Sequence, residues 1–216
     1  MEDLLLKCDV HREEKLKMFC QDHSQLCCSD CVLMNHRLQF ISVTNGQLMN
    51  GRKLSLQHAA YGIAHHQGAL YVTSDTALYH YTLTGTLVNK LHKDAEASYR
   101  VCRCAVSPSG DRIYVTNFSQ HKLLTLATNG TLISTFDHSE LQGPWGVHVA
   151  PAGQVLVCGF SSNTMVQLDR EGSKKLATLA SQRDGLIQPV SVCYNTNIHQ
   201  IIVGRINSKV IVMNLQ

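Results

Sequence analysis

Seven cysteine and histidine residues near the amino terminus stand at spacings that suit metal binding. In chain order they are Cys8, His11, Cys20, His23, Cys28, Cys31 and His36. Six of them form three pairs whose members are separated by two residues, so a tight turn brings both members of a pair to one ion. Zinc prefers four nitrogen or sulfur ligands in a tetrahedron. Seven donors are too many for one zinc ion and one too few for two.

The stretch that carries these donors needs the metal to fold. From the first donor to the last it spans 29 residues and contains no long apolar run. If the cysteines and histidines were ordinary surface residues, so short a stretch would have no evident source of folding free energy. Structural zinc supplies about 10–16 kcal/mol in small zinc-finger peptides. We therefore predict a zinc-bound finger over residues 1–37.

This pattern resembles the type 2 B-box of tripartite-motif proteins, with Met18-Phe19 as the apolar pair before the third ligand. The resemblance implies two zinc ions held in cross-brace fashion. It assigns the first, complete site to four ligands: Cys8, His11, Cys28 and Cys31. It assigns the second site to the remaining three: Cys20, His23 and His36. In the family a further His or Cys follows the seventh ligand, whereas this chain has Arg37-Leu38-Gln39-Phe40 there.

The fourth ligand of the second site is therefore undetermined by the sequence. The fourth position could be filled by water, filled by a residue outside the ligand pattern such as Cys27, or left empty. An open position is typical of catalytic zinc, but no general base stands at a recognisable spacing nearby. An incomplete structural site is the interpretation we adopt, and zinc stoichiometry tests it.

Beyond the finger the sequence repeats itself. Strand-like segments centred on Tyr71, Tyr114, Leu156 and Ile202 are 43, 42 and 46 residues apart. Turn glycines Gly46, Gly85, Gly130 and Gly172 are 39, 45 and 42 residues apart. The strand-like segments and the turn glycines thus independently indicate a period near 43 residues, which is typical of repeat folds.

Each period predicts four antiparallel strands, the pattern of a β-propeller blade. In the second period they are expected near 102–107, 111–117, 122–127 and 131–136. Asn129-Gly130 is a hairpin turn signal because both residues tolerate positive φ. A β-sandwich does not explain a turn that recurs every fourth strand, and no 3.6-residue periodicity supports a helical solenoid. The predicted fold class is mostly β, with the finger followed by a partial propeller of about four blades.

The repeats resemble NHL repeats, through segments such as 106–115 and 144–153. Together with the B-box they resemble the invertebrate B-box zinc-finger proteins of tripartite-motif type. The resemblance implies an NHL-like propeller over residues 38–216. Strands near 38–43 and 47–56 precede three full blades and a last blade of three strands. The strands near 38–43 and 47–56 are expected either to pair with the last blade and close the propeller ring, or to stay apart from it and leave the propeller open.

No RING finger precedes the B-box and no coiled coil follows it. The sequence therefore predicts a shortened form of a tripartite-motif-like protein. The expected function is a zinc-binding scaffold in which the B-box docks and the propeller recognises a protein partner. An accessory role in ubiquitin ligation rests on family analogy alone. Without a coiled coil the oligomeric state is undetermined.

Charge and composition limit the other partners. Residues 1–40 carry five Lys or Arg against seven Asp or Glu, and residues 41–216 carry fourteen against nine. This mild positive balance gives weak support for RNA, for which the candidates are Arg100, Arg103, Arg112 and Lys122. No apolar run reaches membrane-spanning length and no secretory signal is evident, so a cytoplasmic location without membrane contact is expected.

An enzyme is the competing class of function. Lactonase-type propellers resemble this architecture and hold a divalent ion in the central channel. The polar residues that follow the second strand of each repeat are Asp75, Asn117, Asn163 and Asn207. Such residues usually form turns, and no phosphate loop or nucleophile elbow occurs. We therefore expect no enzyme activity, no catalytic residue and no cofactor other than zinc. Cys102, Cys104, Cys158, Cys193 and Trp145 are expected in the core.

Overall fold

A computed structural model of the chain describes residues 18–20, 25–27, 36–44, 47–74, 76–93, 101–196, 199–206 and 210–214. The chain divides into two compact units, Met1–Tyr61 and Gly62–Gln216. The predicted domain boundary at residues 37/38 stays a prediction.

The first unit contains two antiparallel hairpins. The strands of the first hairpin are β1 (Met18–Cys20) and β2 (Gln25–Cys27), and those of the second are β3 (Arg37–Thr44) and β4 (Gln47–Ser55). The second hairpin matches the two strands predicted near 38–43 and 47–56. Its ladder pairs Arg37 with Ser55 at the open end and Thr44 with Gln47 beside the turn.

The second unit consists of four antiparallel sheets in chain order, which we call blades 1 to 4. Blade 1 contains β5 (Gly62–His66), β6 (Ala69–Ser74), β7 (Ala77–Thr82) and β8 (Leu87–Lys93). Blade 2 contains β9 (Val101–Val106), β10 (Arg112–Asn117), β11 (Lys122–Ala127) and β12 (Leu132–Asp137). Blade 3 contains β13 (Pro144–Val149), β14 (Val155–Gly159), β15 (Thr164–Leu168) and β16 (Lys175–Ala180). Blade 4 contains β17 (Pro189–Asn195), β18 (Gln200–Arg205) and β19 (Val210–Asn214).

Strands that are consecutive in sequence pair with one another throughout the blades. The first strands of neighbouring blades also lie next to each other, because β9 contacts both β5 and β13, and β13 contacts β17. The predicted four-strand repeat is confirmed, and the strands of blade 2 lie within one residue of their expected bounds. A short 3-10 helix, Gln182–Asp184, precedes blade 4.

The blades form because their middle strands are apolar on both faces. In β10, Ile113 and Val115 face the core shared with blade 1, whereas Tyr114 between them faces the core shared with blade 3. All three side chains are fully buried. A third core of the same kind joins blades 3 and 4. Side chains of a strand alternate between the two faces of its sheet, so each middle strand of blades 2 and 3 contributes to two cores.

Gly130 shows why the turn glycines recur. Its φ of 89° lies in the left-handed region, and a Cβ atom built there would lie 2.0 Å from the carbonyl oxygen of Leu91 in β8. Only glycine permits both this backbone conformation and this close approach. The third turn of blade 2 thereby packs directly against the outer strand of blade 1.

Two of the predicted core cysteines are buried, Cys104 and Cys158. Burial raises the pKa of the Cys104 thiol to about 12 and also raises that of Cys158. Cys193 is half-buried, and its thiol donates to the carbonyl oxygen of Tyr194 at 3.8 Å. The raised pKa values keep the two buried thiols protonated, as expected of packing residues rather than reactive ones. Nowhere in the described ranges does a helix have the length and apolar character required to cross a membrane.

Candidate metal centre and interaction surface

Two of the seven predicted zinc ligands lie among the described residues. Cys20 ends β1, and His36 immediately precedes β3 with an exposed side chain. The remaining five lie outside the described residues: Cys8, His11, His23, Cys28 and Cys31. Within the described part of the chain, no three Cys, His, Asp or Glu side chains gather closely enough to hold a metal ion. The ligand assignment therefore stays a prediction.

The first hairpin places its two cysteines at opposite ends. Cys20 ends β1 and pairs with Gln25, whereas Cys27 ends β2 and pairs with Met18. Cys20 and Cys27 are thus about 7 Å apart along the strand. The donors are thiolates and imidazoles, the groups that structural zinc uses, so the residues fit zinc.

The second hairpin fixes the backbone of His36. The carbonyl oxygen of His36 accepts a hydrogen bond from the Leu56 amide at 2.6 Å, which extends the β3–β4 ladder by one pair. Gln39, three residues further on, lies inside the ladder opposite Lys53. The segment where the sequence lacks an eighth ligand is therefore part of a strand.

In the second unit, three aromatic rings meet where blades 2 and 3 adjoin. Phe118 follows β10, Phe160 follows β14 and Trp145 lies in β13. The Phe118 and Trp145 ring centroids are 5.2 Å apart with the rings at 83°, and Phe160 lies 5.6 Å from Trp145. All three side chains are half-buried. This aromatic cluster combines apolar area with edge-to-face geometry, as interaction surfaces often do.

The Arg103 guanidinium lies 5.9 Å from the centre of the Trp145 ring, a favourable position for a cation over an aromatic face. Arg103 is 8% exposed, so this predicted RNA contact is a buried residue that supports the cluster. Arg112 pairs instead with the Asp111 carboxylate at 2.6 Å, and Lys122 is half-buried in β11. Arg100 lies outside the described residues.

Two side-chain hydrogen bonds tie consecutive blades together beside the cluster. His121 Nδ1 accepts from the Gly143 amide at 2.9 Å, and Asn163 Oδ1 accepts from the Gln188 amide at 2.8 Å. Both acceptor residues have left-handed backbone conformations, with φ of 58° and 55°. Each donor amide belongs to the residue before the proline that begins the next blade. We call these two bonds the blade staples.

The residues considered for a lactonase-like metal site make other contacts where they are described. Asn117 is fully buried, and its Oδ1 accepts from the Gln120 amide at 3.1 Å. Asn163 forms the second blade staple. Asp75 and Asn207 lie outside the described residues. The side-chain oxygen of Asn117 thus accepts within its own loop, whereas that of Asn163 accepts from the residue before the next blade.

The sequence analysis did not single out the aromatic cluster or the staples. A signal was present, because Phe118-Ser119 and Phe160-Ser161 occupy the same place in consecutive repeats, 42 residues apart. His121 and Asn163 repeat at the same distance. Trp145 was expected in the core and is instead half-buried at the surface of the cluster.

Comparison with known protein families finds one match. The model of the family described as B-box zinc finger matches residues 5–45 of this chain. The matched segment contains all seven predicted ligands together with β1, β2 and β3. A B-box zinc finger implies zinc binding, which agrees with the donor chemistry. Among curated proteins, no sequence matches this chain.

Solved structures resemble the chain in fold. The computationally designed Ika4 protein aligns with a TM-score of 0.58 at 12% identity, covering 74% of this chain and 93% of that one. A chain of the nidogen/laminin complex gives 0.69 at 15% identity, with 83% and 71% covered. Virginiamycin B lyase from Staphylococcus aureus gives 0.54 at 11% identity, with 83% of this chain and 60% of that chain covered. At such identities the likeness concerns the fold alone, which is β-propeller-like.

Proposed function

We propose that the chain is a zinc-binding interaction scaffold of the tripartite-motif and NHL-repeat kind. In this proposal the finger docks one protein, and the propeller-like unit recognises another through its loops. The observation that carries the proposal is the B-box match at residues 5–45, followed directly by repeated four-stranded blades.

The chemistry of the finger supports a structural role for the metal. Zinc supplies folding free energy when four protein donors surround it, and it then offers no open position to a substrate. The chain's part in this proposal is to supply the thiolates and imidazoles that surround the metal. The outer surface of the folded finger is what a partner then contacts.

The contacts of the propeller-like unit support recognition rather than catalysis. The aromatic cluster lies at the ends of strands, where loops from two blades meet, and its rings are half-buried. The two described asparagines that a channel metal would require are committed to loop hydrogen bonds. We accordingly propose that the chain has no enzymatic activity of its own.

Affinity capture with the full chain tests the proposal. Wild-type protein is compared with a finger variant, Cys28→Ser with Cys31→Ser, and with the cluster variant Trp145→Ala. Leu132→Ala is the matched control, because this side chain is 50% exposed on an outer strand away from the cluster. Captured proteins are quantified by mass spectrometry with and without chelator.

We expect two separable sets of partners. One set is lost in the finger variant and in chelator, and the other is lost in the Trp145→Ala variant while zinc stays bound. The Leu132→Ala control retains both. The same captured set in all four proteins would contradict the scaffold proposal.

A further inference from the structure

Two histidine rings accept hydrogen bonds from the segment that joins blades 2 and 3. This joining segment runs from His138 to Gly143, between β12 and β13. His121 Nδ1 accepts from the Gly143 amide at 2.9 Å, and His138 Nδ1 accepts from the Glu140 amide at 3.1 Å. A backbone N–H only donates, so Nδ1 of each ring presents a lone pair and carries no proton. Both bonds therefore require a neutral ring.

The backbone of Gly143 is in direct contact with the aromatic cluster. Its carbonyl oxygen accepts from the Phe160 amide at 3.0 Å. A Cβ atom built on Gly143 would lie 2.9 Å from the Phe118 ring and 2.5 Å from Ser161 Oγ, so the space beside this residue is filled. Trp145 follows two residues later, in β13. A change in the position of Gly143 therefore reaches all three rings of the cluster.

The two histidines differ in what a proton does to their bonds. A protonated imidazole carries N–H on both nitrogens and accepts no hydrogen bond. His138 then has a replacement partner, because its Nδ1 lies 3.7 Å from the Glu140 carboxylate. Among the described residues, no ion pair includes His121. Protonation of His121 therefore turns two N–H donors, its own and that of Gly143, against each other.

The elements around His121 carry other charged side chains. In the described structure they are Lys122 of β11, Asp137 of β12, Glu140 of the joining segment, Lys175 of β16 and Arg103 of β9. Asp137 lies opposite Lys122 in the β11–β12 ladder. The Glu140 carboxylate pairs with Lys175. Neither carboxylate pairs with the His121 ring, so neither offsets a proton bound there.

The junction of blades 3 and 4 provides a comparison within the same molecule. Asn163 lies 42 residues after His121, at the equivalent place in blade 3. Its Oδ1 accepts from the Gln188 amide at 2.8 Å. A side-chain amide does not change charge in the range of about pH 5–8, in which histidine does. The second blade staple should therefore not respond to pH in that range.

We propose that His121 is a pH-sensitive switch at the junction of blades 2 and 3. While the ring is neutral, the first blade staple holds Gly143 against the aromatic cluster, and protonation of the ring breaks this bond. The ring is half-buried, so protons reach it from solvent. In mild acid, Gly143 is released and the cluster loses the packing that this residue provides. The inference goes beyond the proposed function, because it concerns a bond within the second unit and requires neither zinc nor a partner.

The test follows backbone amides of the full, zinc-loaded chain by NMR between about pH 8 and pH 5. Hydrogen-exchange protection is measured at Gly143 and Gln188, the donors of the two staples, and is corrected for the intrinsic pH dependence of exchange. Wild type is compared with His121→Asn, which copies the second staple. A second variant, His138→Gln, removes the other ring acceptor. Emission from Trp145, the single tryptophan of the chain, reports the cluster in the same samples.

In the wild type, protection of the Gly143 amide should fall about 2- to 10-fold as the His121 ring gains its proton, the change expected for loss of one hydrogen bond. Trp145 emission should shift over the same pH range. Protection of the Gln188 amide should stay constant. In His121→Asn, both amides and the emission should be independent of pH, whereas His138→Gln should respond as the wild type does.

The same pH response at Gly143 and Gln188 in the wild type would overturn the inference, and this comparison needs no variant. A His121→Asn protein that is folded, as judged by protection at Gln188, and that keeps the pH dependence would overturn it as well. Loss of the pH dependence in His138→Gln would assign the switch to His138 instead. These measurements involve no partner, so the proposed function and the inference fail separately.

Discussion

The finger and the blades obtain stability from different sources. The middle strands of blades 2 and 3 place side chains in two apolar cores, as Ile113 and Tyr114 do on opposite faces of β10. The finger is a short stretch with seven predicted ligands and no long apolar run. A blade is therefore stabilised by its neighbours, whereas the finger is expected to be stabilised by bound zinc. The stability of the finger should therefore respond to a chelator, whereas the stability of the blades should respond to substitutions in their apolar cores.

The largest effect of a single substitution is expected in the core between blades 1 and 2. Leu126 is fully buried there. Leu126→Ala should lower the free energy of unfolding by about 2–5 kcal/mol, because it removes apolar contacts and leaves a cavity. Urea unfolding followed by Trp145 fluorescence measures the loss.

The exposed Leu132→Ala substitution is the control and should change the free energy by no more than about 0.5 kcal/mol. Zinc content should be unchanged in both variants. If Leu126→Ala released zinc, the two units would not be independent and the comparison would fail.

A smaller effect is expected at the first blade staple. His121→Ala removes the acceptor of the Gly143 amide and should cost about 0.5–1.5 kcal/mol. Because Gly143 lies against the Phe118 ring, the fluorescence of Trp145 should shift as well. The second staple uses an asparagine at the equivalent position, so His121→Asn should restore most of the loss. An alanine variant with wild-type stability and emission would show that the staple is dispensable.

These features also show what the sequence could predict. The strands of the blades follow from turn residues and from alternation, which are local, so blade 2 was located within one residue. The B-box was recognisable because ligand types and spacing are part of the sequence itself. Contacts between blades are different. The burial of Arg103 beneath Trp145 depends on how two blades pack, and nothing near Arg103 in the sequence indicates it.

The smallest effect is expected for Asp111 in blade 2. Hydrogen bonds from the Ser109 and Ser107 hydroxyls, with the charges of Arg112 and Arg170, hold the pKa of this carboxyl well below its usual range. The carboxylate therefore stabilises the fold above about pH 4, and this contribution is lost as the pH falls through the lowered pKa. Asp111 is 44% exposed, so solvent reduces the effect.

Asp111→Asn should cost less than about 1 kcal/mol at pH 7. The difference from wild type should shrink progressively below about pH 4. Urea midpoints measured between pH 3 and pH 7 provide the check, with Asp137→Asn as an exposed control on β12. A difference that grows at low pH would contradict the stated sign.

Hydrogen exchange of the full chain with and without bound metal tests most directly the claim that metal alone holds the finger. After exhaustive chelation under reducing conditions, peptides from residues 5–45 should lose their protection, and peptides from residues 101–196 should exchange as before. Restoring zinc should restore the protection. Protection that persists over residues 5–45 in metal-free protein would contradict the account.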